Sequence, residues 1–353
     1  MKVSTKSRLA LIFLAIACLI GVITSLIVNS IVTNQIIFEA QERVRDHLSS
    51  AKWVYDSKLR EIDRTIRWTS ARHVLKRAIK ERNVSPFRNE LTELMKEEGL
   101  DFLTLVDKKG TVLFRFHDPE QSGDSLLQDP FIRKGLEKEP ISGTQILPEE
   151  ALIKEGKTFV QKAFFRLVPT PRARPVEKME ETSGMVLKSA HSIFDFNGEV
   201  LGVLTGGILL NRNYEMVDQI KNIVFKDARY KGKEIGTATI FMGDLRISTN
   251  VLDKEGNRAI GTRAMKEVSA QVLDHGIPWI QRAFVVDDWY ITAYEPIEDI
   301  LGRRIGMLYV GMLESKYALL KEKLILLFFL FSMVGMLLAL TVSFLLSWKI
   351  LKK

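Results

Sequence analysis

Two long apolar runs bracket the chain. Residues 9–32 and 324–348 contain no charged side chain, and each is long enough to cross about 30 Å of hydrocarbon as a helix. Between them the pattern changes more than once. Val44, Leu48, Ala51, Tyr55, Leu59, Ile62 and Ile66 step by threes and fours, which is one apolar stripe on an otherwise charged helix spanning 41–79. That stripe must pack on something, either the rest of the domain or a second copy of itself. Ser85-Pro86 reads as an N-cap with proline at the first helical position, so a further helix is expected to run to Gly99.

After Gly99 the period becomes two. "DFLTLVDKKGTVLFRF" predicts a strand, a turn at Lys108-Lys109-Gly110 and a second strand. Further strands are expected at 158–168, 185–194 and 200–210, the last two joined by the Asn197-Gly198 turn. Residues 169–183, "PTPRARPVEKMEETS", are proline-rich and charged and read as an exposed loop, with Arg172 and Arg174 in solvent or, as the alternative, against a partner. A helix from 213 to about 225 separates this unit from the next. There "TATIFMGDLRISTN" (237–250) predicts a hairpin whose two-residue turn is Gly243-Asp244. Its pairs would be Met242 with Leu245, Ile240 with Ile247 and Ala238 with Thr249. The opposite face would carry Phe241, Arg246, Thr239, Ser248, Thr237 and Asn250. A helical stretch at 265–273 and strands at 283–286, 289–294 and 304–312 complete the unit. The whole reads as α+β: two modules in series after long helices. The expected segments are 1–8 and 349–353 as tails, 9–32 and 324–348 as spans, 33–99 as long helices, lobes at 100–225 and 226–314, and a short joint at 315–323.

Charge orients the chain. Lys2, Lys6 and Arg8 precede the first run, and Lys349, Lys352 and Lys353 follow the second. Both termini are therefore expected in the cytoplasm, with 33–323 on the far side. These six cations account for most of the formal net charge of +8, so the basic balance does not point to nucleic acid. A cleaved signal peptide is disfavoured because the first run exceeds an ordinary signal core and no Ala-x-Ala site follows it. The only cysteine, Cys18, lies in that run. The exported part then has no disulfide and no thiolate metal site, which suits a bacterial inner-membrane protein with a periplasmic domain.

Enzyme signatures are missing. There is no His-x-x-x-His pair, no Gly-x-Ser-x-Gly elbow and no nucleotide-binding glycine loop, and no metal or cofactor is expected. Strand alternation singles out other residues. Leu113, Arg115 and His117 share a face of their strand, where Arg115 reads either as a bidentate clamp for a carboxylate or as half of an internal ion pair with Asp124. His117 reads as a helper or as structural, and Lys188 as a further cation. Arg246, Ser248 and Asn250 share a face of the later hairpin, and Tyr290, Thr292 and Tyr294 share another. Together they form either a second pocket for an anion or an arginine-centred network, with Arg258 and Arg263 facing water. Gly206-Gly207 reads as close backbone packing.

"RFHDPEQSGDSL" (115–126) resembles the signature of Cache sensor domains. The stretch from Gly236 to Leu313, "GTATIFMGDLRISTNV" through "LGRRIGMLYVGML", resembles the membrane-proximal half of double Cache domains of the Cache-3/Cache-2 fusion group. The resemblance covers about 41–314. It implies two PAS-like lobes after a long helix, an extracytoplasmic sensor of the kind carried by bacterial histidine kinases and methyl-accepting chemotaxis receptors, and a homodimer. It also implies a small ligand such as an amino acid, carboxylate or amine, usually in the membrane-distal lobe. On that footing a carboxylate on Arg115, His117 and Lys188 is expected. Such receptors continue into a HAMP linker and a signalling module, whereas five residues follow Trp348 here. The output is thus expected on a longer chain or on a partner. Polysaccharide chain-length regulators share the two-span topology and short tails, and they supply the alternative of a scaffolding role; their periplasmic parts are mostly helical.

Overall fold

The computed structural model describes residues 5–81, 83, 85–226, 229–230 and 233–350. The expected tails therefore lie partly outside the described residues, at 1–4 and 351–353. The chain divides into two compact units, Met1–Arg43 with Leu313–Lys353, and Val44–Met312.

The first unit holds two apolar helical segments. Helix α1 spans Thr5–Ser70, and a last helix spans Ser315–Ile350. Their most apolar windows have mean hydropathies of 1.6 and 2.7, and both helices are long and apolar enough to cross a membrane. Hydroxyls within them are satisfied by the helix backbone: Thr24 Oγ1 donates to the Ile20 carbonyl at 2.7 Å and Thr341 Oγ1 to that of Leu338 at 2.8 Å. Internal satisfaction of this kind is what a hydrocarbon environment requires of every polar group.

In the second unit α1 continues to Ser70, then breaks. Helix α2 is His73–Glu81. A 3-10 turn at Ser85–Phe87 precedes α3 at Arg88–Glu97, whose N-cap is Phe87 without a side-chain hydrogen bond. The expected single helix to residue 79 and the Ser85 cap are thus corrected. The apolar stripe of α1 is buried at Val44, Leu48, Ala51, Tyr55, Ile62 and Ile66. It packs on the lobes of its own chain: Tyr55 Oη lies 2.7 Å from Thr144 Oγ1, and Asp63 accepts from Ser189 Oγ at 2.9 Å.

The first lobe is a five-stranded sheet. Strands β1 (Phe102–Asp107) and β2 (Val112–Arg115) form its edge hairpin. Helix α4 (Pro130–Leu136), strand β3 (Ile141–Leu147) and helices α5 (Glu149–Glu155) and α6 (Lys157–Ala163) follow. Short strands β4 (Phe165–Arg166) and β5 (Glu180–Glu181) pair with each other. Strands β6 (Gly184–Phe194) and β7 (Val200–Leu209) complete the sheet, in the order β2-β1-β7-β6-β3. The strand expected at 158–168 is mostly helix α6, because Phe159 and Ala163, four apart, both bury into the core beside Leu152. The Asn197-Gly198 turn forms as expected, with Gly198 at φ +79. A Cβ on Gly207 would sit 1.9 Å from the Leu187 carbonyl oxygen, so close backbone approach is what that glycine serves.

Helix α7 (Tyr214–Phe225), capped by Asn213, and the short pair β8 (Arg229–Tyr230) and β9 (Lys233–Glu234) lead into the second lobe. Its sheet is built from β10 (Gly236–Met242), β11 (Leu245–Thr249), β12 (Trp279–Val285), β13 (Asp288–Glu298) and β14 (Arg304–Leu313). The order is β11-β10-β14-β13-β12. A single helical turn α8 (Lys266–Ser269) and a π-helical turn (Ala270–Asp274) lie between β11 and β12, and Ser315–Ile350 is α9. Residues 169–183 are not a free loop. Arg172 lies over the Trp289 ring at 4.9 Å, and Arg174 pairs with Asp274, so the segment ties the first lobe to the second.

Candidate functional site

Three cationic side chains, histidine aside, are buried among the described residues: Arg115, Lys188 and Arg246. An ion taken out of water costs several kcal/mol unless a partner offsets it, so the partners of each decide what it is for.

Arg115 sits at the end of edge strand β2. Cross-strand pairing puts it in one row with Thr104 of β1 and Thr205 of β7, hence on one face of the sheet. There α5 brings up Glu155, and the loop after β2 brings up Asp124. The guanidinium donates from Nε to Glu155 at 3.1 Å, from Nη1 to Asp124 at 2.7 Å and to the Gln121 carbonyl at 3.0 Å, and from Nη2 to Asp124 at 3.0 Å. Four of its five donors are used. Hydrogen bonding to Arg115 is the main reason the Asp124 carboxyl is held down at about 2. Burial works against the Arg115 charge, but the bonds and charges of Asp124 and Glu155 outweigh it, and its pKa is raised. Of the two readings open for Arg115, its contacts form the internal one: the guanidinium is the centre of an ion-pair network with Asp124 and Glu155.

Lys188 lies on β6, two strands away from β1. It donates to Asp129, the N-cap residue of α4, at 2.5 Å and to Gln145 at 3.3 Å, and it stands over the Phe131 ring. His117 lies past the end of β2, exposed, with Nε2 3.1 Å from Thr158 Oγ1. Strand register puts Arg115 and Lys188 on the same face of the sheet, and both buried cations are matched by carboxylates.

The second lobe differs. The β10–β11 hairpin turns at Gly243, φ +55, and Met242 pairs with Leu245 and Phe241 with Arg246 as expected. A bulge then shifts the register, so Ile240 faces Ser248 and Thr239 faces Thr249. The expected pairs Ile240–Ile247 and Ala238–Thr249 are replaced. The one-residue slip divides the polar face. Ser248 Oγ donates to the Asn213 carbonyl, and Asn250 bridges the Ala238 amide and the Val217 carbonyl. Both therefore fasten α7 and stand apart from Arg246.

Arg246 stays on the other face, only 1% exposed. Its Nη1 donates to Thr262 Oγ1, and its guanidinium lies over the Phe241 ring at 5.0 Å. Its Nε is buried with no hydrogen-bond partner, and no carboxylate is paired with it among the described residues. Burial lowers its pKa, opposed by the nearby Tyr294, Tyr309 and Tyr290. Burial in turn raises all three phenols, Tyr309 to about 12, so they are neutral and supply hydrogen bonds and no counter-charge. A desolvated cation–π contact is worth about 2 kcal/mol, less than the several kcal/mol that burial of an ion costs. Trp279, opposite Tyr294 in the β12–β13 ladder, has a second buried donor without a partner, its Nε1. The other arginines expected to face water are paired: Arg258 with Asp218 and Arg263 with Asp244, each through two bonds.

Sequence reasoning did not find Glu155, Asp129, Thr262, Trp279 or Tyr309. Glu155 is forty residues from Arg115, and no local pattern joins them. Two cavities lie elsewhere in this unit. One of about 450 Å³ is bordered by Lys52, Tyr55, Asp56, Thr144 and Glu295, and one of about 290 Å³ by Arg67, Lys76, Lys138 and His191. Among the described residues no cluster of three or more His, Cys, Asp or Glu is placed to hold a metal.

Residues 208–323 match the family model described as single Cache domain 3. The second lobe and the residues that follow it are thus a Cache domain, in line with the resemblance read from the sequence. No curated protein matches the chain. Among solved structures, the chain is similar to the periplasmic domain of Vibrio cholerae LuxQ. Identity is 13%, coverage is 76% of this chain and 98% of that one, and the TM-score is 0.47. It is also similar to the sensor domain of the V. cholerae histidine kinase DctB, at 9% identity, 77% and 96% coverage and a TM-score of 0.42. The sensory domain of the Campylobacter jejuni chemoreceptor Tlp3 with isoleucine bound is similar at 10% identity, 82% and 97% coverage and a TM-score of 0.40.

Proposed function

Proceeding from a Cache sensor domain between two helices able to cross a membrane, we propose that the chain is the sensing part of a bacterial inner-membrane receptor. It binds a small organic anion on the periplasmic side and passes the signal through its second span to a cytoplasmic kinase or chemotaxis module, in cis or in trans. The observation that carries this reading is the connection at the end of the second lobe. Strand β14 ends at Leu313 and helix α9 begins at Ser315, so Glu314 alone stands between them. A change in the β14 register has no slack linker in which to dissipate. A ligand biases such a change only by its differential affinity for the two states.

The active form is a homodimer in this proposal. Facing away from the buried stripe of α1, Trp53 and Trp68 are 62% and 66% exposed, and they lie on one side of the helix with Ser57, Arg60 and Arg64. The scaffolding alternative expects a mostly helical domain, and two five-stranded sheets weigh against it. To test the receptor reading, full-length chain with Cys18→Ala is placed in lipid nanodiscs, with single cysteines along 326–338. Two copies should cross-link with helical periodicity, and the pattern should move when a ligand found by thermal shift among organic acids, amino acids and amines is added. Failure of every compound to shift the melting temperature would sink the receptor reading.

A further inference from the structure

Resting on the receptor reading, we propose that the ligand is a carboxylate held in the second lobe, with Arg246 as its anchor. The first lobe needs no further anion. Arg115 is matched by Asp124 and Glu155, and Lys188 by Asp129. The second lobe is built around a charge that lacks its opposite. Arg246 is as deeply buried as Arg115, is paired with no carboxylate among the described residues, and leaves its Nε unused. A carboxylate is the group whose two oxygens fit the guanidinium fork, taking parallel bonds from two of its nitrogens.

The surroundings set the rest of the recognition. Phe241, Tyr294 and Tyr309 form an aromatic cluster, with ring centroids 6.0, 6.3 and 4.7 Å apart pairwise. Their faces are flat and apolar, and their phenols are neutral. The lobe is thus matched to a small acid with one carboxylate for Arg246 and a short apolar or hydroxylated remainder. Arginines that fasten this lobe are matched by carboxylates, Arg258 by Asp218 and Arg263 by Asp244.

The test uses full-length chain in nanodiscs and reads melting temperature and calorimetric affinity. The probes are acetate, lactate and succinate beside their amides, which keep the shape and lose the charge. At least one acid should raise the melting temperature while its amide does not. Arg246→Met, similar in length and uncharged, should melt no lower than wild type without ligand and should bind that acid at least tenfold more weakly. Arg115→Met should melt lower yet keep the affinity. Unchanged affinity in Arg246→Met overturns the site, as does an Arg246→Met chain that does not fold or melts well below wild type. Binding only of amines, sugars or amides would overturn the carboxylate assignment and leave the receptor reading standing. No binding by any acid, amine, amide or sugar would remove both.

Discussion

At the scale of single residues, the buried charges behave in two ways, and pH separates them. The Asp124 carboxyl is held at about 2 against an ordinary 3.8, chiefly by Arg115. A depressed folded-state pKa stabilises above the unfolded value, and that contribution is lost as pH falls through the folded one. The shift corresponds to about 2 kcal/mol at neutral pH, fully present above about pH 4 and fading towards pH 2. Asp124→Asn should therefore cost on the order of 2 kcal/mol at pH 7, and much less near pH 2.5. Calorimetric unfolding of wild type and variant at both values checks this; an equal loss at both would mean the ion pair is not its source. The pairing of Arg115 with Asp124 was one of two readings open in the sequence, because both lie within one twelve-residue signature. Glu155 was not legible, since only the packing of α5 on the sheet delivers it. Nor was the solitude of Arg246. Being unpaired is a property of everything around a residue, and nothing in "GDLRIST" displays it.

At the scale of elements, periodicity found the hairpins and missed the register. The Gly243-Asp244 turn and its flanking pairs were legible because a two-residue turn fixes them. The bulge at Ile247 was not, since neither glycine nor proline in "LRISTN" marks the extra residue. Its consequence is that Ser248 and Asn250 serve α7 and not the Arg246 face. Likewise 158–168 was expected as a strand, yet α6 forms because helical spacing buries Phe159 with Ala163. Asn250 links β10, β11 and α7 through both ends of its amide. Asn250→Ala would leave the buried Ala238 amide without its partner and remove a second bond to the Val217 carbonyl, at about 1–3 kcal/mol. The variant should melt lower and bind any acid with wild-type affinity. A large affinity loss at unchanged stability would return Asn250 to the pocket.

At the scale of the whole chain, the pattern was most legible where physics leaves least choice. A run of apolar residues long enough to span a bilayer has few other uses, and both runs form helices here. What the pattern could not show is the strap at 169–183, because contacts such as Arg174 to Asp274 join residues a hundred positions apart. Orientation follows from charge alone. Lys2, Lys6 and Arg8 flank one run and Lys349, Lys352 and Lys353 the other. Cations beside short tails resist translocation, whereas a loop of several hundred residues crosses regardless of its own charge. Residues 33–323 are thus expected in the periplasm. Alkaline phosphatase, active only after export, should be active when fused after Asn250 and inactive when fused after Lys353. Replacing Lys2, Lys6 and Arg8 with glutamine should raise the misoriented fraction, since those three charges are the ones that hold the first span. If the fusion after Lys353 is the active one, the Cache lobes face the cytoplasm, and the ligand reaching Arg246 would be a metabolite of the cell itself.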